Sequence, residues 1–273
     1  MIISNLTGGL GNQLFQYSFG RSLAIKNNTE LKLHFTNALF NTQYEYELGH
    51  FNIQAAIATD EKLQRLHIFK NRIVNRAFYL LDDRLGIQFN NHIATQRYPY
   101  PFNSDYRTIP NNTYVQGYWA DERYFKENES MIRKELTPKK KLDTRNQKIV
   151  QEMKRGQSVS IHVRRGDFVT NKLNIPQFIG LKYYIDAVRK IKKITSSPQF
   201  YIFSNDMRWC RENITPLIGN GTFIEHNTGK NSYKDLLLMS ACHHNIIANS
   251  TFSWWGAWLN ENKNKTVISP HKT

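Results

Sequence analysis

With 273 residues, 40% of them hydrophobic and 13% aromatic, the chain carries enough apolar material for one large core or two modest ones, and two is the expected number. No stretch is polar or repetitive enough for disorder and no apolar run nears bilayer-crossing length; two cysteines, Cys210 and Cys242, exclude a disulfide scaffold, lack metal-site spacing and read as reduced core thiols. A net charge of +15, from 37 Lys+Arg against 22 Asp+Glu, favours anionic partners: nucleic acid, an acidic lipid surface or a phosphorylated small molecule.

In chain order, "MIISNL" reads as a strand, "TGGLGN" as a turn and Gln13 to Lys26 as a helix, with "ELKLHF" as a second strand. This strand-turn-helix-strand unit has the length of a parallel crossover. The segment "DEKLQRLHIFKNRIVNRAFYLL" is patterned as an amphipathic helix and "QRYPYPFNSDYRTIP" as an aromatic, Pro-bearing loop. "TYVQGYWAD" is a strand ending near a turn, and Tyr124 to Leu136 a helix. "TPKKKLDTRNQ" then turns charged, which places a domain boundary within 137–147 and divides the chain into 1–142 and 143–273.

The second half alternates regularly. "SVSIHV", "QFYIFS", "TFIEH", "NIIAN" and "TVIS" are strands, and the helices between them run from Leu181 to Ile194, Met207 to Asn213, Ser232 to Cys242 and Phe252 to Asn260. Such alternation predicts an α/β fold with a parallel, doubly wound sheet whose ligands sit beyond the carboxyl ends of its strands. The N-terminus has no basic leader or cleavage site, so a soluble, cytoplasmic protein is expected. The basic runs Lys139-Lys140-Lys141 and Arg189-Lys190-Ile191-Lys192-Lys193 read as solvated linker and helix end; peripheral attachment to the inner face of a membrane through this basic surface stays open.

The residues that carry chemistry lie at predicted strand ends. In "SIHVRRGDF", Ile161 and Val163 share one face of the strand, Ser160, His162 and Arg164 the other, and Arg165, Gly166 and Asp167 form the exit. Two adjacent guanidinium groups suit a diphosphate, since each binds phosphate oxygens bidentately; an Arg-Asp pair bracing a turn is the alternative. "YIFSND" ends in Ser204, Asn205 and Asp206, able to cap a helix or to contact a ribose and base. "ANSTFSWWGAW" places Asn249, Ser250, Thr251 and Ser253 at a helix start, where free N–H groups favour phosphate, with Trp254, Trp255 and Trp258 packing as core. "GGLGNQLFQY" is not G-x-G-x-x-G, because Leu14 stands at the third glycine, and it lacks the Gly-Lys-Ser/Thr of a P-loop. Its glycines still let a ligand approach the backbone closely. No D-x-D triplet is present, the nearest thing being Asp82-Asp83, so neither metal nor cofactor is expected.

Four segments in this order, "GGLGNQLFQYSFGRSLA", "IHVRRGDF", "YIFSNDMRWCREN" and "MSACHHNIIANSTFSWWGAWLN", resemble the successive motifs of glycosyltransferase family 11, the bacterial and animal α-1,2-fucosyltransferases. The resemblance implies two Rossmann-like domains in a GT-B-like fold, with the donor site in the C-terminal half and the acceptor side of the cleft in the N-terminal half. It implies metal-independent, inverting transfer of L-fucose from GDP-β-L-fucose to the 2-hydroxyl of a terminal β-galactoside on an oligosaccharide acceptor. Carried over by motif, Arg164 and Arg165 clamp the diphosphate beside His162, Arg164 being the better candidate. Ser250, Thr251 and Ser253 become phosphate contacts, Asn205, Asp206 and Asp235 nucleotide contacts, and Gly11, Asn12 and Gln13 close the sugar side. Asp167 is the nearest carboxylate for a general base, although it could equally brace Arg165. Family members commonly continue past the strand matching "TVIS", whereas this chain ends at "VISPHKT", which implies a short member or a trimmed chain. A transferase using another nucleotide sugar or forming another linkage is the near alternative. A nucleic-acid-binding protein is the remote one, disfavoured because most basic residues are scattered.

Overall fold

A computed structural model describes residues 1–35, 44–59, 61, 63, 93–97, 99–165 and 179–270. The chain divides into two compact units, Met1–Lys139 and Lys140–Thr273. The predicted helix over residues 60–81 lies almost entirely outside the described residues, as do Asp82, Asp83, Gly166 and Asp167.

The N-terminal unit contains β1 (Ile2–Leu6), α1 (Leu10–Lys26), β2 (Leu31–Phe35), β3 (Ala56–Ile57), β4 (Ile93–Thr95), β5 (Thr113–Gln116) and α2 (Glu129–Glu135). Its sheet has the order β3-β2-β1-β5-β4, every pair parallel, with Ser4 of β1 between Leu33 of β2 and Val115 of β5. Strand β1 is buried throughout, as expected of a central parallel strand covered on its faces. Helix α1 begins three residues earlier than its sequence pattern suggests. Gly8 takes the left-handed conformation (φ +72°) and completes the turn by itself, so the Gly9 carbonyl already accepts from the Asn12 and Gln13 N–H groups. Gly11 and Asn12 therefore lie in the first helical turn. The single helix expected over Tyr124–Leu136 is broken into 3-10 turns at Glu122–Tyr124 and Lys126–Asn128 followed by α2. The breaks let adjacent Tyr124 and Phe125 both pack inward, against Phe19 and Phe15.

The C-terminal unit contains α3 (Thr144–Arg155), β6 (Gln157–Val163), α4 (Leu181–Ile194), β7 (Pro198–Ser204), α5 (Met207–Asn213), α6 (Thr215–Ile218), β8 (Gly221–Phe223), α7 (Tyr233–Ala241), β9 (His244–Ile246), α8 (Thr251–Leu259) and β10 (Val267–Ile268). The sheet order β10-β9-β6-β7-β8, all parallel, is that of a doubly wound fold with β6 at its centre. Alternation along β6 sends Val159, Ile161 and Val163 into a core with Tyr184, Val188 and Ile191 of α4. The opposite face carries Ser160, which accepts from Asn245 Nδ2, and His162, whose ring lies 5.9 Å from that of Phe252. Beside them Tyr201 and Phe203 of β7 pack with Met153 of α3 and with Leu238 and Met239 of α7. Helix α3 lies where the sequence suggested only a charged linker; Asp143 caps it by accepting the Asn146 N–H. Cys210 and Cys242 are buried free thiols, as expected, and burial pushes both up, to about 11 and about 12 respectively. Trp255 and Trp258 are core residues, and the side chains of both basic runs lie on the exposed surface apart from buried Ile191.

Candidate functional site

Within the C-terminal unit the chemistry collects beyond the carboxyl ends of β6, β7, β8 and β9. Strands β6 and β9 pair with Ile161 opposite Ile246, so Arg164 leaves the sheet level with Asn249, where the chain turns into α8. Strands β6 and β7 pair with Val163 opposite Ser204, which brings Arg165 beside Asn205 and Asp206.

The two arginines have different surroundings. The Arg165 main-chain N–H donates to Asn205 Oδ1 (2.9 Å), its Nε donates to Asp206 Oδ2 (3.4 Å), and its guanidinium lies over the Trp209 ring at 4.2 Å. Trp209 thereby adds a cation–π contact to the ion pair. Asp206 in turn caps α5, its Oδ1 accepting the Trp209 N–H. Both Asp206 oxygens are thus engaged within the chain, and the Arg165–Asp206 pair braces the exit of β6. Arg165 is thus held by Asn205, Asp206 and Trp209 within the chain. Arg164 is half-buried and its charge reaches His162.

His162 is buried, and burial, helped by the Arg164 charge, pushes its imidazole down to about 3. The ring is therefore neutral at physiological pH. Among the described residues its buried Nδ1 meets no hydrogen-bond partner, a costly arrangement for a ring nitrogen.

At the start of α8, Ser250 and Thr251 are half-buried, whereas Ser253 is fully buried and its hydroxyl donates toward the carbonyls of Ala248 (3.4 Å) and Ser250 (3.3 Å). Ser253 therefore ties the turn into α8 together. Asn205 is exposed.

Asp235 lies in the first turn of α7, and burial pushes its carboxyl up to about 7. Its Oδ1 accepts from Asn227 Nδ2 (2.8 Å), and Asn227 exchanges two amide hydrogen bonds of 3.0 Å each with Asn146 of α3. His226 Nε2 also meets Asn146 Oδ1, at 3.1 Å. Sequence reasoning did not single out Asn146, His226, Asn227 or Trp209. The one available signal was position, since His226 ends a predicted strand and Asn227 directly follows it.

In the N-terminal unit Gln13 is fully buried. Its Oε1 accepts the Glu47 N–H (2.9 Å) and its Nε2 donates to the carbonyls of Gly8 (2.9 Å) and Glu45 (2.8 Å). With both N–H groups and its oxygen engaged, Gln13 holds the 45–47 segment against the end of β1. Gly11 is buried and Asn12 half-buried. Among the described residues no three His, Cys, Asp or Glu side chains are grouped to hold a metal ion, and no helix is long and apolar enough to cross a membrane.

Two Rossmann-like units, each a parallel five-stranded sheet flanked by helices, define a GT-B-like glycosyltransferase fold. The fold is shared with the α-1,6-fucosyltransferase NodZ from Bradyrhizobium, solved after soaking with GDP-fucose, at TM-score 0.57 and 15% identity over 94% of this chain and 91% of that one. In sequence the chain is 32% identical to an α-1,2-colitosyltransferase of Escherichia coli, covering 99% of this chain and 91% of the relative. It is 29% identical to the galactoside α-(1,2)-fucosyltransferase 1 of Homo sapiens over 53% of this chain and 42% of that one. The profile described as glycosyl transferase family 11 matches residues 1–273, and the chain belongs to that family.

Proposed function

We propose that the protein transfers L-fucose, with inversion and without a metal, from GDP-β-L-fucose to the 2-hydroxyl of a terminal β-galactoside during glycan synthesis on the cytoplasmic side of the membrane. The observation that carries this reading is the register that sets Arg164, at the carboxyl edge of the central strand, level with the turn leading into α8. A guanidinium and a helix N-terminus are complementary to a diphosphate, and both gain strength as charge grows on it. The anomeric C–O bond to the diphosphate breaks as the acceptor oxygen forms its own bond on the opposite face, so GDP leaves as an anion and the acceptor hydroxyl loses a proton. Asp167 is the proposed base for that proton. Arg164 stabilises the departing diphosphate more than the intact donor, which raises turnover rather than affinity alone.

Neutral His162, with its unused Nδ1, and exposed Asn205 are the proposed nucleoside contacts. The Asp235 carboxylate is suited to the N1–H and 2-amino groups of guanine, which donate in parallel as a guanidinium does. Ser250 and Thr251 take the phosphate oxygens.

The likeness to the colitosyltransferase favours a second donor, GDP-colitose, which differs from GDP-fucose by one missing hydroxyl. The two readings separate when purified protein is given GDP-fucose, GDP-colitose, GDP-mannose and UDP-galactose in turn with lactose, and product linkage is read by NMR. Fucose joined α-1,2 to galactose is the expected product. Turnover with colitose alone establishes the second reading, and turnover only with another donor refutes both.

A further inference from the structure

At the carboxyl edge of the N-terminal sheet three exposed or half-buried tyrosines stand on loops that three buried glutamines hold together. Gln16, fully buried, accepts the Thr7 N–H (2.9 Å) and donates to Thr7 Oγ1 (3.1 Å) and to the Gly117 carbonyl (2.9 Å). It thereby ties the exit of β1 to the exit of β5. Gln13 fastens the chain just after Tyr44 to Gly8, and a Cβ on Gly9 would lie 3.2 Å from Tyr44 Cε1, so the Tyr44 ring lies over that glycine. Gln96, beyond β4 and buried, accepts the N–H groups of both Tyr118 (3.0 Å) and Trp119 (2.8 Å).

The turn after β5 is fixed from every side. A Cβ on Gly117 would meet Gln96 Cβ at 2.5 Å, so no other residue fits without a shift. Trp119 is left-handed (φ +53°) while fully buried and stacked on Phe19 at 4.0 Å. Tyr100, whose ring meets that of Tyr118 edge-on at 5.3 Å, is left-handed as well (φ +63°). Bulky residues hold such conformations only where the surroundings over-determine them, and such strain collects at ligand sites. Here its result is to present Tyr118, 39% exposed, in one orientation, on the same edge as Tyr44, 38% exposed.

We infer that Tyr44, Tyr100 and Tyr118 form a stacking shelf for the terminal pyranose of the acceptor, positioned by Gln13, Gln16 and Gln96. One face of a galactopyranoside presents several C–H bonds, and the negative face of an aromatic ring attracts them while the phenol hydroxyl reaches a sugar hydroxyl. Tyrosines fixed in advance lose little conformational freedom when the sugar binds. The shelf lies beyond the carboxyl ends of β1, β4 and β5, where parallel sheets receive ligands. This inference rests on the reading of the protein as a transferase acting on a β-galactoside.

The test pairs kinetics with direct binding in the full chain. In Tyr118→Ala and Tyr44→Ala the KM for lactose rises about tenfold, while the KM for GDP-fucose and the slow hydrolysis of GDP-fucose without acceptor stay unchanged. Tyr118→Trp restores the acceptor KM. Saturation-transfer NMR with methyl β-galactoside shows signal at the pyranose C–H protons for the unaltered protein and none for Tyr118→Ala. Fucosyl transfer with a lactose KM that neither variant alters overturns the shelf alone. Galactoside binding at the tyrosines without transfer from any donor overturns the functional reading alone, and an unaltered protein that binds no galactoside overturns the shelf.

Discussion

The two sheets offer opposite chemistries at the same end. At the carboxyl ends of β6, β7, β8 and β9 stand the charged side chains of Arg164, Arg165 and Asp206, with His162 and Asp235, whose protonation burial shifts. Beyond the ends of β1, β4 and β5 stand neutral amides and phenols, with Gln13, Gln16 and Gln96 forming the struts. One topological rule places both sets of residues, so the backbone alone does not say what either edge binds. A charged edge stabilises a charge that develops during reaction; an edge of amides and aromatic rings holds shape. On the proposed reading, charge recognition and shape recognition fall to separate units of the chain.

The largest effect that can break this comparison is expected at Arg164. Arg164→Ala should lower kcat by about 10²–10³-fold, the range seen when a preorganised group facing a developing charge is removed, with the lactose KM unchanged in steady-state kinetics. A variant that keeps kcat and loses only acceptor affinity would place charge recognition elsewhere. Next is Gln13→Leu, which strands the carbonyls of Gly8 and Glu45 and the Glu47 N–H. Its unfolding free energy in urea should fall by about 2–4 kcal/mol with GDP affinity intact; unchanged stability would mean the struts carry no load.

The smallest effect is a pH dependence. In the fold the Asp235 carboxyl is raised from 3.8 to about 7, so the folded chain binds the proton more tightly than the unfolded chain. That contribution to stability is complete below about pH 4 and is lost as pH rises toward 7. Asp235→Asn should therefore be the more stable protein at pH 8, on the order of 2 kcal/mol after discounting for partial exposure, with the difference vanishing below pH 4. Parallel stability curves from pH 4 to 8 would contradict this. His162 works in the other direction, its lowered value costing stability as pH falls below the usual histidine range.

Much of the C-terminal unit was legible because strands such as "SVSIHV" alternate polar and apolar residues and α4 has clear helical periodicity. Helix α3 was hidden because Met153 is its one buried apolar residue, while Ile149 and Val150 are only half-buried. Its cap, Asp143 before Asn146, was the available signal. The brace on Arg165 was invisible for a different reason. It depends on Asp206 and Trp209, more than forty residues away, and adjacency in sequence says nothing of which guanidinium meets them. Asn146 and Asn227, separated by 81 positions, were hidden in the same way. The glutamine struts did leave a trace: Gln13 and Gln16 stand three residues apart on the buried side of an otherwise apolar helix, where an amide persists only if the fold satisfies it.

The most direct test of separate charge and shape recognition is a calorimetric titration of GDP into the unaltered protein, Arg164→Ala and Tyr118→Ala. Removing the charge-assisted hydrogen bonds of Arg164 should weaken GDP binding by about 10–100-fold, corresponding to about 1.5–3 kcal/mol, while Tyr118→Ala binds GDP as the unaltered protein does. GDP bound as tightly by Arg164→Ala as by the unaltered protein would contradict the placement of the diphosphate at the end of β6.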